Sequence, residues 1–322
     1  MNRRHLLQAP AAALAAGLFK PQEAAAAAPF AMTQPPAFHR MTLGGFQVTA
    51  LLDGTVPLPL SAMYNNTTPA QVDQALAAAF LRSPVELSVN AYLVNTGDRL
   101  VLIDAGAAGL LGPRLGKLPG VLRAAGYAPE QVDAVLLTHI HTDHSGGLVV
   151  DGQVTFPNAT VHANRRDAEY WLDPANLARA PVAKQALFRE AVACISPYEA
   201  TGRFHTFNDN AAPIPGFRSI WRPGHTPGHS SIVVESGGET LIAWGDVTHG
   251  DVVQFDEPGI GIEFDVDSRA AAVTRRTAFA EAAAQRIWIA GAHIAFPGIG
   301  HVRADSASYD WVPINYSSGG ES

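Results

Sequence analysis

The sequence predicts an α/β fold, a mixed β core covered by helices, on three observations. Two runs, Leu100-Val101-Leu102-Ile103 and Ala134-Val135-Leu136-Leu137, are apolar at every position, as strands buried on both faces are. Ala-rich stretches of helical length alternate with such runs along the chain. Neither an internal repeat nor a long linker breaks the alternation, which favours a single domain over 29–322. The composition agrees: 47% of the 322 residues are hydrophobic and 16% charged, which supplies a large core and excludes a disordered chain.

Taken in order, Phe46 to Leu52 reads as a strand, and Val89 to Asp104 as a hairpin turning at Asn95-Thr96-Gly97-Asp98. A helix over Leu115 to Ala125 stops at Gly126. The strand Ala134 to Leu137 follows, then strand Thr160 to Ala163 and helices over Arg165 to Leu172 and Leu177 to Cys194. A second hairpin, Ser231 to Trp244, turns at Ser236-Gly237-Gly238, and Asp267 caps a helix over Ser268 to Gln285. Strand Ile287 to Ala290 comes next. The pair Arg275-Arg276 on that last helix reads as a solvated face.

Residues 1–28 read as an export signal rather than as part of the fold. A basic start with adjacent Arg3 and Arg4 precedes an apolar stretch from Leu6 to Phe19 and a run of alanines suited to a signal peptidase. The paired arginines resemble the twin-arginine signal, which implies passage of the folded protein through that export machinery into the bacterial periplasm. Leu6 to Phe19 falls short of the about 20 residues that span a bilayer, so no stable membrane anchor is expected. The lone cysteine, Cys194, excludes an intramolecular disulfide and reads as a small buried residue. A formal charge of -7 argues against nucleic acid as a partner.

The chemistry gathers at strand ends. Directly after the apolar strand come Thr138-His139-Ile140-His141-Thr142-Asp143-His144-Ser145-Gly146-Gly147, three imidazoles and a carboxylate in six positions. Imidazole nitrogens and carboxylate oxygens suit Zn, Mn, Fe or Co, and a loop ending a strand can converge them on one point. The glycines that follow let the chain turn sharply.

This HxHxDH segment resembles the metallo-β-lactamase superfamily, and further segments of that family's pattern appear in order. They are Leu102-Ile103-Asp104-Ala105-Gly106, Pro223-Gly224-His225-Thr226-Pro227-Gly228-His229-Ser230, Trp244-Gly245-Asp246, and His293. The resemblance implies an αββα sandwich of two mixed β-sheets flanked by helices. It also implies two divalent metal ions per chain, Zn first, with Mn, Co or Fe as alternatives. His139, His141 and His225 would hold one ion, and Asp143, His144 and His293 the other. Asp246 would span both, Asp104 would support the ligands from behind, and a hydroxide bridging the ions would be the nucleophile. Asp246 and Asp143 are the expected catalytic carboxylates. His229 is expected to orient or pack its loop.

The segments Leu111-Gly112-Pro113, Ala124-Ala125-Gly126-Tyr127, Pro129-Glu130-Gln131-Val132-Asp133 and Ala292 to His301 are similar to the methyl parathion hydrolase branch, close to bacterial lactonases. That likeness implies hydrolysis of lactones and aryl esters, with organophosphate triesters as promiscuous substrates, on a small uncharged molecule. It places the pocket wall on Leu111, Trp171, Phe188, His249 and Phe264, and leaves room for a homodimer. The alternatives are a β-lactam or glutathione-thioester hydrolase and an iron-dependent oxidoreductase of the same fold. The reductase relatives typically carry Glu where His141 stands. A binding module that kept only the fold is a third class, disfavoured by the full ligand set.

Overall fold

The computed structural model describes residue 28 and residues 30–318. Most of the expected leader lies outside the described residues, and 30–35 form neither helix nor strand. The described residues from 36 to 318 pack together as one domain.

The first sheet has seven strands that neighbour one another in chain order: β1 (Phe38–Leu43), β2 (Phe46–Leu58), β3 (Val85–Asn95), β4 (Leu100–Ile103), β5 (Ala134–Leu136), β6 (Thr160–Asn164) and β7 (Phe204–Phe207). Pairs up to β3/β4 are antiparallel, and β4/β5, β5/β6 and β6/β7 are parallel. The second sheet has six: β8 (Phe217–Trp221), β9 (Ser230–Ser236), β10 (Glu239–Gly245), β11 (Trp288–Gly291), β12 (Ile299–Asp305) and β13 (Ser308–Pro313). Only β10/β11 is parallel there. Its crossover is the helix Ser268–Gln285, since parallel neighbours need a long connection.

Side-chain alternation turns these sheets into layers. In β4, Val101 and Ile103 join Ile232, Val234, Leu241 and Ala243 in a cluster between the sheets. Their neighbours Leu100 and Leu102 face the other way, onto Leu118, Leu122, Phe188 and Ile195 of the covering helices. The second sheet repeats the arrangement: Val233, Ile242, Trp244 and Ile289 pack on Ala278, Phe279 and Ala282. The Phe279 ring stacks on Trp244 and Phe255 at 5.3 and 4.6 Å. Truncating such a buried aromatic costs about 3–5 kcal/mol. Two mixed sheets with helices on both outer faces make the expected αββα sandwich.

The helices are α1 (Pro69–Ala78), α2 (Leu118–Ala124), α3 (Arg165–Trp171), α4 (Pro174–Arg179), α5 (Gln185–Glu199) and α6 (Ser268–Gln285), besides single turns. The helix expected over Leu177 to Cys194 is instead two. Pro181 lacks an N–H and pushes Ala180 to an extended ψ of 143°, which ends α4. The reading of Arg275 as solvated is also corrected. Position 275 lies on the buried stripe of α6 with Ala271, Ala278 and Ala282, and Arg275 is 0% exposed. Small alanines leave room for its guanidinium, which donates to the carbonyls of Val247, Pro258 and Ile260. Asp267 caps α6 as expected, accepting from Ala270 N at 3.0 Å. Cys194 is buried and unpaired. No helix among the described residues is long and apolar enough to cross a membrane.

Candidate metal centre

Four chain segments meet at one end of the sandwich. β5 ends at Leu136, and the loop after it carries His139 and His141 into a single helical turn, Thr142–Ser145, which holds Asp143 and His144. His225 lies between β8 and β9, Asp246 follows β10, and His293 follows β11. Gly147 lets the first loop pack tightly: a Cβ there would stand 1.9 Å from the carbonyl oxygen of Ala105.

The donor atoms divide into two sets. Among the described residues, one set is His139, His141, His225 and Asp246, and another is Asp143, His144 and His293, each with its atoms within 4.8 Å of one another. His141 Nδ1 lies 3.0 Å from His139 Nε2 and 2.9 Å from His225 Nε2. Asp246 stands between the sets. Its Oδ2 is 3.1 Å from His225 Nε2 and 3.7 Å from His139 Nε2, its Oδ1 is 3.0 Å from His144 Nε2, and His293 Nε2 is 3.2 Å from both oxygens. Asp143 Oδ2 is 3.3 Å from His293 Nε2 and 3.6 Å from His144 Nε2. All seven residues foreseen as ligands are therefore brought together.

Outer contacts fix the rings. Asp104, at φ 61°, accepts from Thr138 N and Thr138 Oγ1 at 2.8 Å and meets His144 Nδ1 at 2.9 Å. Thr138 Oγ1 in turn touches His139 Nδ1 at 3.1 Å. The carbonyl of Ser88 faces His293 Nδ1 at 2.9 Å. His229 accepts from Asp246 N at Nε2 (2.9 Å), so its proton sits on Nδ1, which reaches the Arg222 carbonyl at 2.9 Å. The imidazole thus orients the backbone of Asp246.

Sequence reasoning missed two carboxylates. Asp265 meets His225 Nδ1 at 3.0 Å. Asp167 accepts from Ile140 N and Gly228 N at 2.8 and 2.7 Å, tying the first histidine loop to the His225 loop. Both are distant in sequence from the motif residues they hold, so spacing gave no signal.

The electrostatics suit a cation. Burial alone would lower His225 and His293, yet Asp246 beside both, with Asp265 and Asp143 respectively, raises them to about 9 and about 10. His139 and His141 go the other way, lowered by burial and by neighbouring imidazoles. Burial would raise Asp143, but His144 and His293 hold it well below the carboxylate range. Among the described residues, His144 Nε2 and Asp246 Oδ1 are buried without a hydrogen-bond partner despite their 3.0 Å approach. Unsatisfied buried donors and acceptors are costly, and a divalent ion coordinated by both would relieve them. Borderline nitrogen and hard oxygen donors in these proportions fit Zn, Mn, Co or Fe.

A cavity of about 240 Å³ opens onto these residues, with Val56, Leu58, Leu111, Leu187, His249 and Phe264 in its wall. Trp171 and Phe188 line an adjoining cavity of about 390 Å³ instead, which shares His141, Leu187 and Phe264 with the first and also includes Arg179 and Lys184. His249 sits deeper than a wall residue need do. Its Nε2 is 3.2 Å from Asp246 Oδ2, its ring stacks on His293 at 5.2 Å, and it forms a further donor cluster with those two.

A sandwich of this architecture, carrying an HxHxDH turn at one end of its sheets, defines a metallo-hydrolase class. The chain belongs to the metallo-beta-lactamase superfamily, whose sequence model matches residues 84–283. It is similar to the N-acyl homoserine lactonase of Bacillus cereus, 25% identical over 179 residues, a match covering 49% of this chain and 62% of that one. The uncharacterized protein YobT of Bacillus subtilis (strain 168) is 30% identical over 160 residues, covering 50% of this chain and 62% of its own. The chain thus spans under two thirds of the length of these relatives. Among crystal structures, the hydrolase AbOPH of the beta lactamase superfamily is 40% identical, with a TM-score of 0.85 over 89% of this chain and 100% of that one. AidC, a dizinc quorum-quenching lactonase, has a TM-score of 0.82 at 23% identity, covering 88% of this chain and 99% of its own, a likeness of fold.

Proposed function

We propose that this chain is a dinuclear metal-dependent hydrolase whose main substrates are lactones, with aryl ester and phosphotriester cleavage as side activities. The observation that carries the reading is Asp246, which lies between the two donor sets, its Oδ2 towards His139 and His225, its Oδ1 towards His144, and both oxygens 3.2 Å from His293 Nε2, beside an apolar-walled cavity. His139, His141 and His225 would hold one ion, Asp143, His144 and His293 the other, and Asp246 both. When bound, two divalent ions lower the pKa of a water towards neutrality and polarise an acyl oxygen. The chain supplies the rest. Val56, Leu58, Leu111, Leu187 and Phe264 receive the apolar body of the substrate and exclude bulk water. Asp143, which lines the cavity, would stay a carboxylate and accept a hydrogen bond from the attacking water, orienting it. Similarity to N-acyl homoserine lactonases supports lactones as the class.

A second reading, an ester or thioester with an anionic arm, is favoured by Arg179 and Lys184 in the adjoining cavity. Steady-state kcat/KM on metal-quantified protein distinguishes the two, using γ- and δ-lactones, acyl-homoserine lactones, phenyl acetate, a dimethyl phosphotriester and a glutathione thioester. The lactones should rank first. A thioester ahead of every lactone would overturn the main reading.

Residues 1–28 are proposed to direct export of the folded protein by the twin-arginine route, on the evidence of Arg3 and Arg4. Replacing both by Lys should abolish the periplasmic pool in fractionated cells. An undiminished pool would discard the route.

A further inference from the structure

Strand β2 is interrupted. Its pairing with β3 slips between Leu52 and Gly54, leaving Asp53 without a partner in the register. Such a bulge re-aims a side chain, and here it turns a carboxylate into the protein: Asp53 is 0% exposed. Gly54 makes the bulge feasible, since at φ +153° a Cβ would stand 2.1 Å from the carbonyl oxygen of Arg114.

The buried carboxylate is spent on one loop. Asp53 Oδ2 accepts from Ala107 N and from Gly116 N, both at 3.0 Å, and Oδ1 accepts from Leu118 N at 2.9 Å. Its own carbonyl accepts from Lys117 N at 3.1 Å. One residue therefore pins the two ends of segment 107–118 to β2, closing it as a compact loop. Among the described residues, the tip between the pinned ends makes local backbone bonds, Leu110 N to Ala107 O, Gly112 N to Gly109 O and Leu115 N to Gly112 O, and an exposed Arg114–Glu86 ion pair. At that tip sit Leu110 and Leu111, 46% and 45% exposed, and Leu111 lines the cavity over the metal centre.

We infer that Asp53 is a positioning residue for substrate recognition: by clamping both ends of loop 107–118 it holds Leu111 as a fixed wall of the cavity. Among the described residues its carboxylate's hydrogen bonds all go to loop 107–118 and it does not line the cavity; its charge is felt at Asp143, so metal content is measured beside substrate binding. The inference rests on the proposed hydrolase reading only for what is bound. The clamp itself stands on the hydrogen bonds alone.

The test uses the full chain with Asp53→Asn and Asp53→Ala, with two readouts. A nitroxide on Leu111→Cys reports loop order without any substrate, and buried Cys194 leaves the new thiol as the site of labelling. KM and kcat are then measured on lactones of increasing apolar size, with metal content as control. Asp53→Asn keeps the shape but loses an acceptor, so the label should become markedly more mobile. KM for the larger lactones should rise about 5- to 10-fold and kcat change less than about 3-fold, with metal content as in the parent. Leu111→Ala should raise KM similarly, and adding Asp53→Asn to it should change KM little further, because coupled residues are not additive. An unchanged label, unchanged KM with a mobile label, or fully additive effects would each overturn the inference. Should Asp53→Ala not fold, Asp53→Asn and Leu111→Ala carry the decision. A parent chain that hydrolyses no lactone refutes the proposed function, and the label still decides the clamp.

Discussion

The Asp246 carboxylate meets imidazoles of both donor sets, whereas His229 meets Asp246 only at its backbone N–H. The two should therefore fail differently. Asp246→Ala should remove metal from both sets and abolish measurable turnover. His229→Ala leaves the Asp246 N–H unpaired, a cost of about 1–3 kcal/mol, and should lower activity about 10- to 100-fold with most metal retained. Equal losses of metal in the two variants would refute this division of labour. His249 is the other residue whose place suggests an experiment. Buried against Asp246 and His293 with its Nδ1 unpartnered, it brings a polar group to a cavity otherwise walled largely by apolar side chains. A bulky apolar phosphotriester pressed against this imidazole forfeits part of its transfer free energy, about 25 cal/mol per Å², while a smaller, more polar lactone forfeits less. His249→Leu should raise the phosphotriester-to-lactone ratio of kcat/KM about 10-fold, equivalent to about 1.4 kcal/mol in the transition state. An unaltered ratio with metals in place would show that His249 does not discriminate between them.

At the scale of elements, the parallel pair β6/β7 closes one edge of the first sheet with His162 opposite His205. Burial, and secondly His205, push the His162 pKa down to about 4, while in the unfolded chain it titrates near 6.5. Between those values the unfolded chain takes up a proton that the folded one refuses, so stability is intact above about pH 6.5 and falls as the pH drops towards 4. His162→Gln should remove that part of the acid loss, seen as a smaller drop in Tm between pH 7 and pH 4.5 than in the parent. Equal drops would mean that the edge histidine does not contribute. The same strands show what the sequence discloses and what it hides. Runs such as Leu100 to Ile103 disclose strands because both faces are buried, and the hairpin turn at 95–98 is visible in its Asn and Gly, with Thr96 N bonding Arg99 O at 3.0 Å. The seven candidate ligand positions were legible because they cluster in short motifs at strand ends. Asp53, Asp167 and Asp265 were not, since each acts on backbone or imidazole groups contributed from elsewhere by the fold. Arg275 was misread for a related reason: its burial follows from the stripe of alanines around it and from three carbonyls lying 15 to 28 residues away.

Over the whole molecule, the candidate ligands come from both halves of the sandwich. His139, His141, Asp143 and His144 follow β5 of the first sheet, and His225, Asp246 and His293 lie at the ends of strands in the second. Bound ions would therefore fasten one sheet to the other at that end, adding to the apolar contacts between them. Without ions, the same place gathers buried carboxylates and imidazoles whose charges are only partly matched, including His144 Nε2 and Asp246 Oδ1 with no hydrogen-bond partner. A ligand that binds only the folded chain stabilises it by about 4 kcal/mol at 1,000 times its Kd. In a domain of this size that corresponds to a Tm shift of about 7 °C. Elemental analysis should find two divalent ions per chain, and exhaustive chelation should lower Tm by about that amount, with recovery on adding Zn. Asp246→Ala supplies the control, because a chain that cannot hold the ions should melt at the same temperature with and without chelator. Should stripped and reloaded parent protein melt together, or active protein carry a single ion, the two sheets are not joined through a dinuclear centre and the roles given to Asp246 and Asp143 fall with it.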